Sequence, residues 1–371
     1  MTDKSRDGIG DGDPQPSLAP DRVSLRRDQT DRVDLTRRDF FTHAVAAGGG
    51  GLLASAFSSS AEAAGAVVIP AAPPIPKRPF GNTGAAITIV GFGAGSRFYN
   101  PISDDEDAAE LIRRAIDRGI EFVETGANYG PDGIAEKRIG LAMRTHRSRV
   151  FLETKVDERD YDGAMREIER SMQRMNTDYL DLVLHHFLRN VAEVEEVTGS
   201  NGAERALRKM IDEKVIRFRG FSTHTPDTAL AGMERLDPQA IQLPINAVRV
   251  PDFEPTVIPL AAERGIAIIA MKTCGNGYFF PANATTPDRI EQYGPPAGAW
   301  DRWDLPTWTD YIHYVLSLPV TAAAIGVDSY FTLDGIVAAA STFAPLAQEQ
   351  RTSITERAQV FATTGYWIPR G

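Results

Sequence analysis

The chain is 371 residues long with 42% hydrophobic and 24% charged residues, enough apolar content for a large core, which excludes wholesale disorder, a collagen and a coiled coil. Its 50 acids outnumber 40 bases for a net charge of −10, so no basic face is implied and nucleic acid is not an expected partner. The single cysteine, Cys274, cannot form an internal disulfide and excludes an iron–sulfur cluster or a Cys-based zinc site.

Residues 1–35 mix acids and bases with Gly, Pro and Ser and hold almost no apolar cluster, a composition that predicts disorder. Thr36-Arg37-Arg38-Asp39-Phe40-Phe41 follows, then a Gly- and Ala-rich apolar stretch over 44–57. It closes on Ala61-Glu62-Ala63, the small-x-small spacing of a signal-peptidase site. The stretch is too short and too rich in Gly for a stable membrane span. Paired arginines ahead of a weakly hydrophobic segment resemble a twin-arginine export signal. That resemblance implies the twin-arginine export machinery as a partner and a periplasmic or otherwise exported destination. An amphipathic N-terminal helix is the alternative, but Gly48-Gly49-Gly50-Gly51 would sit in its middle. The chain thus divides into a disordered stretch plus signal at 1–63, a Pro-rich lead-in at 64–78 and a folded unit at 79–371.

Residues 79–89 read as a hairpin turning at Asn82-Thr83-Gly84, a plug for whatever follows. Beyond it, β-branched apolar runs alternate with amphipathic stretches of helical period. Strands are predicted at 88–95, 121–126, 150–155, 180–186, 216–223, 240–246, 267–274 and 321–327. Helices are predicted at 104–118, 133–145, 161–175, 204–214, 256–264 and 307–318, with a last one after Asp328. Eight βα units in series close most economically as a (β/α)8 barrel, an α/β TIM-barrel fold. A doubly wound open sheet is the rival. Its dinucleotide fingerprint would fall on Gly91-Phe92-Gly93-Ala94-Gly95-Ser96, where the third glycine is missing and Pro101 delays the helix.

Chemistry in such a barrel gathers at the C-terminal ends of the strands. There the sequence puts Glu124 and, in the next loop, Tyr129; then Lys155; then His185-His186. Any one of these could be structural, but a carboxylate, a phenol, an ammonium and an imidazole on three consecutive strands form a set.

The stretch Phe122-Val123-Glu124-Thr125-Gly126-Ala127-Asn128-Tyr129-Gly130 resembles the F-x-D-T-A-x-x-Y-G motif of the aldo/keto reductases. Glu136-Lys137-Arg138-Ile139-Gly140, Thr154-Lys155, Asp181 to His186, Gly220-Phe221-Ser222-Thr223 and Ala270-Met271-Lys272-Thr273 resemble its later motifs, in order. The resemblance implies reduction of an aldehyde or ketone, or oxidation of the alcohol, by hydride transfer with a nicotinamide cofactor. Tyr129 is then the proton donor, with a free-tyrosine pKa near 10 that an adjacent Lys155 ammonium is expected to pull down. His186 orients the carbonyl oxygen; strand alternation puts it on the face opposite His185, and the family's spacing from Asp181 also selects it.

Glu124 stands where the family has Asp, and one extra methylene shifts its contact with the lysine by about a bond length. Glu153 shares the face of Lys155 by period two, so the lysine is expected between two carboxylates. That arrangement should hold its proton more tightly and weaken its help to Tyr129.

For the cofactor, the resemblance implies NADP(H) as the family default, with NAD(H) open. Ser222 and Gln242 match residues that hold the carboxamide; Thr223 replaces the usual Asn; Met271 replaces a stacking aromatic. Lys272, Thr273, Gly326 and Val327 complete the implied set. Asp328, at the start of the last helix, lies where a basic or neutral side chain would suit a 2′-phosphate. Arg97, Phe98, Tyr99, Phe187 and the aromatic-rich segment 275–305 are candidates for the substrate wall. No spacing among His43, His146, His224 and His313 suits a metal. One alternative function is a catalytically weak dinucleotide-binding barrel serving as a sensor or partner-binding subunit. Another is a hydrolase using Glu124 and Glu153 as an acid/base pair.

Overall fold

The computed structural model describes residues 73–277, 279 and 304–362. The export-signal reading of residues 1–63, and all but Phe279 of the aromatic positions named in 275–305, lie outside these residues. Strands β1 (Lys77–Pro79) and β2 (Ala86–Thr88) pair antiparallel, Lys77 opposite Thr88. Eight parallel strands then close a barrel in the order β10-β3-β4-β5-β6-β7-β8-β9. These are β3 (Val90–Gly93), β4 (Phe122–Glu124), β5 (Phe151–Val156), β6 (Leu180–Leu188), β7 (Ile216–Thr223), β8 (Ala240–Pro244), β9 (Ala267–Met271) and β10 (Ala322–Gly326).

Period two decides what faces inward. Phe122, Phe151, Leu182, Leu184, Ala240, Ile269 and Ala324 fill the cylinder, and Phe80 and Ile87 of the hairpin close its floor. Phe80 stacks 4.8 Å from Phe151, while Arg78 donates to the carbonyls of Val320 and Leu316, both at 2.6 Å, and pins the hairpin in place. Gly91 has a packing role: a Cβ there would come within 2.2 Å of the Phe122 ring. The Gly-rich β3 thus serves close packing inside a closed barrel, which disposes of the open-sheet rival.

The outer helices follow their amphipathic stripes. The helix Asp105–Asp117 starts where Asp104 accepts from the backbone of Glu106 and Asp107, and it buries Leu111, Ile112 and Ile116. Four helices appear where none is predicted: the single turn Ser96–Tyr99, Val191–Thr198 behind an Asn190 cap, Pro226–Arg235 with proline in its first turn, and Gln348–Ala358 beyond the helix Tyr330–Ser341. Strand ends also differ by one to three residues: the predicted 267–274 stops at Met271, and Lys272 turns away with φ of 57°.

Candidate active site

Three segments carry the four ionisable groups. Glu124 ends β4, Tyr129 sits in the loop after it, and β5 contributes Lys155 and, one layer deeper, Glu153. The loop is held by the following motif. Glu136, fully buried, accepts from the Thr154 hydroxyl at 2.7 Å and pairs with Arg174 at 3.2 Å; Arg174 also donates to the Ala127 carbonyl. Gly140 lets the helices meet, since a Cβ there would lie 2.1 Å from the Arg174 carbonyl oxygen. Sequence reasoning assigned this motif to the family; its physical task is to brace the Tyr129 loop.

Within the site, Lys155 Nζ donates to Glu124 Oε1 and, at 2.7 Å, to the Thr125 carbonyl. Glu153 Oε1 lies 3.2 Å from the same nitrogen. The lysine therefore lies between two carboxylates. Tyr129 donates its hydroxyl to Glu124 Oε1 at 3.1 Å, and its ring centroid is 5.0 Å from Lys155 Nζ. The His186 ring meets Tyr129 edge-on at 5.6 Å. Its Nδ1 donates to Asp157 at 2.8 Å, which in turn accepts from Asn128 at 3.0 Å. That fixes the ring, and Nε2 is an acceptor in the neutral imidazole and a donor in the imidazolium. Asp157 and Asn128 were missed from the sequence, although Asp157 continues the 153–155–157 alternation of β5. His185 points the other way, fully buried against Glu204 at 3.1 Å, and is structural.

One electrostatic expectation is reversed. The Tyr129 phenol is held above its usual value, by burial first and then by Glu124, whose charge outweighs that of Lys155. For Lys155, burial opposes the charged form, but Glu124, Tyr129 and Glu153 together push its pKa above the ordinary lysine value. Glu153 reaches no substrate position, being wholly enclosed beneath Lys155, so a Glu124–Glu153 hydrolytic pair is ruled out.

The same mouth opens on its other side into a cleft of about 260 Å³, lined by Tyr129, Tyr99, Met271, Lys272, Thr273, Gly326, Arg97 and Trp308 among others. Arg97 and Tyr99 thus face it, whereas Phe98 packs edge-on against Phe92 in the outer core and Phe279 against Tyr311 and Phe361. Ser222 and Gln242 lie buried at neighbouring strand ends, and both the nitrogen and the oxygen of the Gln242 amide lack a partner among the described residues. Ser222 accepts from the Phe187 backbone at 2.7 Å and keeps its own proton to donate. Thr223 faces outward and donates to the Leu188 carbonyl, and Val327 is buried in the outer core. Phe187 lies at the rim with its ring 4.3 Å from that of His224.

Burial pushes Lys272 down to about 8 and His224, 3.4 Å away, to about 2. Arg97 crosses the cleft to Asp328 at 2.5 Å. The acid at the start of the last helix therefore meets a cation supplied from the loop after β3, 231 positions away in sequence, which the sequence reading did not anticipate. Among the described residues no cluster of three or more His, Cys, Asp or Glu could hold a metal ion, and no helix is long and apolar enough to cross a membrane.

The sequence pattern of the aldo/keto reductase family matches residues 90–359. The chain belongs to the aldo/keto reductase family. It is 26% identical over 219 residues to a probable aldo-keto reductase of Glycine max, covering 54% of this chain and 59% of that protein. The chain thus spans less than two thirds of that relative's length. Among solved structures it resembles an aldo-keto reductase from Bacillus halodurans in its holo form, with a TM-score of 0.64, 22% identity and coverage of 77% of this chain and 97% of the other. It also resembles an aldo/keto reductase from Klebsiella pneumoniae in complex with NADP and acetate, with a TM-score of 0.59, 21% identity and coverage of 75% and 94%. At these identities the structural likenesses speak for the barrel itself.

Proposed function

We propose that this protein is an NADP(H)-dependent oxidoreductase that reduces an aldehyde or ketone, with Tyr129 as proton donor. The observation that carries the reading is one shared opening. It is lined both by Tyr129 and by Glu124, which bonds the buried Lys155, and by Met271, Lys272 and Thr273; the unpartnered Gln242 amide lies buried one strand away, on β8. A carboxamide has the donor and acceptor that Gln242 lacks, and Lys272 in the cleft offers positive charge to phosphate groups. The relative solved with NADP supports the choice of dinucleotide.

Bound in that cleft, the nicotinamide supplies a hydride to the carbonyl carbon. The chain's part is to place and protonate the oxygen. His186, its ring fixed by Asp157, orients the carbonyl oxygen toward the Tyr129 hydroxyl. Tyr129 exchanges Glu124 for that oxygen as its hydrogen-bond acceptor and passes over its proton as negative charge develops there. Lys155 stabilises the phenolate left behind.

A catalytically weak dinucleotide sensor is favoured by one feature, the grip of Glu124 on the Tyr129 proton. NADPH consumption with a panel of aldehydes and ketones separates the two. The Tyr129→Phe variant should lose about 10³-fold in rate while titrating NADPH fluorescence like the wild type. Equal rates in the two proteins would remove the reductase reading. On the pattern Arg37-Arg38 and Ala61-Glu62-Ala63 we also propose twin-arginine export to the periplasm. That route carries folded proteins, so cofactor can be loaded beforehand. The N-terminus of protein recovered from the cell envelope should begin just after Ala63; recovery only from the cytoplasm would exclude export.

A further inference from the structure

Glu153 is the one member of the enclosed cluster to which the proposed mechanism gives no task. Its side chain is 0% exposed, and neither carboxylate oxygen has a hydrogen-bond donor among the described residues. Across the ladder its neighbours are Glu124 on β4 and Leu182 on β6, and Phe151 shares its face within the apolar cylinder. The groups that face it electrostatically are Lys155 on its own strand and Glu124 on the neighbouring one, with Tyr129 beyond. Two carboxylates against one ammonium would leave a net negative charge in an apolar cylinder, a costly arrangement that one bound proton relieves.

The hydrogen bonds decide which carboxyl carries that proton. Glu124 accepts from both Lys155 and Tyr129, so its charge is stabilised. Lys155 donates to Glu124 and, at 2.7 Å, to the Thr125 carbonyl, and its approach to Glu153 is the longer one, at 3.2 Å.

We propose that Glu153 carries a proton in the working protein and, through its loss, sets how tightly Tyr129 holds its own. With Glu153 neutral, the Lys155 charge is directed at Glu124 and the phenol. When Glu153 ionises, its negative charge adds to that of Glu124 and holds the phenolic proton more strongly. Burial together with Glu124 pushes the Glu153 carboxyl up to about 8, so the change falls within an accessible pH range. Glu153 is on this account a positioning residue, acting through Lys155, and its kinetic consequence rests on the reductase reading.

The test has one arm that needs no activity. Infrared difference spectra of the full chain should show a protonated-carboxyl band at pH 6 that fades as pH rises through about 8 and is missing from Glu153→Gln. Absence of that band from the wild type overturns the proposal, whatever the protein catalyses. The second arm is the pH profile of reduction. Wild-type Glu153, charged above about 8, keeps Tyr129 protonated to higher pH, so Glu153→Gln should move the alkaline limb down by about one unit, a tenfold loss at its foot. A limb that stays in place while the band behaves as expected breaks the link to Tyr129. If Glu153→Gln does not fold, Glu153→Leu, which fits the apolar surroundings, takes its place in both arms.

Discussion

The two sides of the barrel mouth solve opposite electrostatic problems. On the β4–β5 side, Glu124, Tyr129 and Lys155 answer one another in hydrogen bonds with Glu153 beneath them, and Glu124, Lys155 and Glu153 are shut away from solvent. On the β8–β10 side, Gln242 has an amide with no partner among the described residues, and Lys272 faces a neutral imidazole. The first side is complete without a ligand; the second is built to be completed by one. The difference teaches that damage to the first should show up in folding and protonation, and damage to the second in binding.

The largest effect that would break this contrast comes from Lys155→Met. Removing the ammonium leaves the Glu124 charge buried beside the Glu153 carboxyl with no cation, and urea unfolding at neutral pH should show a loss of about 3–5 kcal/mol. A variant as stable as the wild type would mean that the cluster is far better hydrated than its burial implies.

Gln242→Leu tests the other side. Its unbonded amide costs the free protein stability, so the variant should unfold at equal or higher urea concentration yet bind NADPH about tenfold more weakly. Unchanged affinity would remove Gln242 from the cofactor site.

Lys272 sharpens the comparison by pH. Its ammonium is charged below about 8 and neutral above, so attraction for the dinucleotide phosphates is present at pH 7 and fades toward pH 9. NADPH affinity should fall severalfold over that interval, and Lys272→Met should be weaker at pH 7 and flat across it. The same slope in both proteins would assign the titration to another group.

Much of this was legible beforehand because it depends on local pattern. Strand β7 runs over the predicted 216–223, the helix 161–175 was predicted residue for residue, and period two put Glu153 beside Lys155 and separated His186 from His185. Contacts between distant segments were not legible. Nothing in the sequence joins Arg97 to Asp328, or Asn128 to Asp157 and His186, because barrel closure alone makes those loops neighbours. The acidity of Tyr129 was misjudged for a related reason. An adjacent lysine suggests a lowered value, but burial and the hydrogen-bonded Glu124 carboxylate outweigh it.

The sequence by itself determined the repeat of strands and helices, and which side chains share a face, since both follow from the periods of the backbone. Tertiary structure alone decided which charges touch and which are shut away from water. Those two facts fix protonation, because the energy of a buried charge depends on distance and solvent in all directions and not on neighbours along the chain.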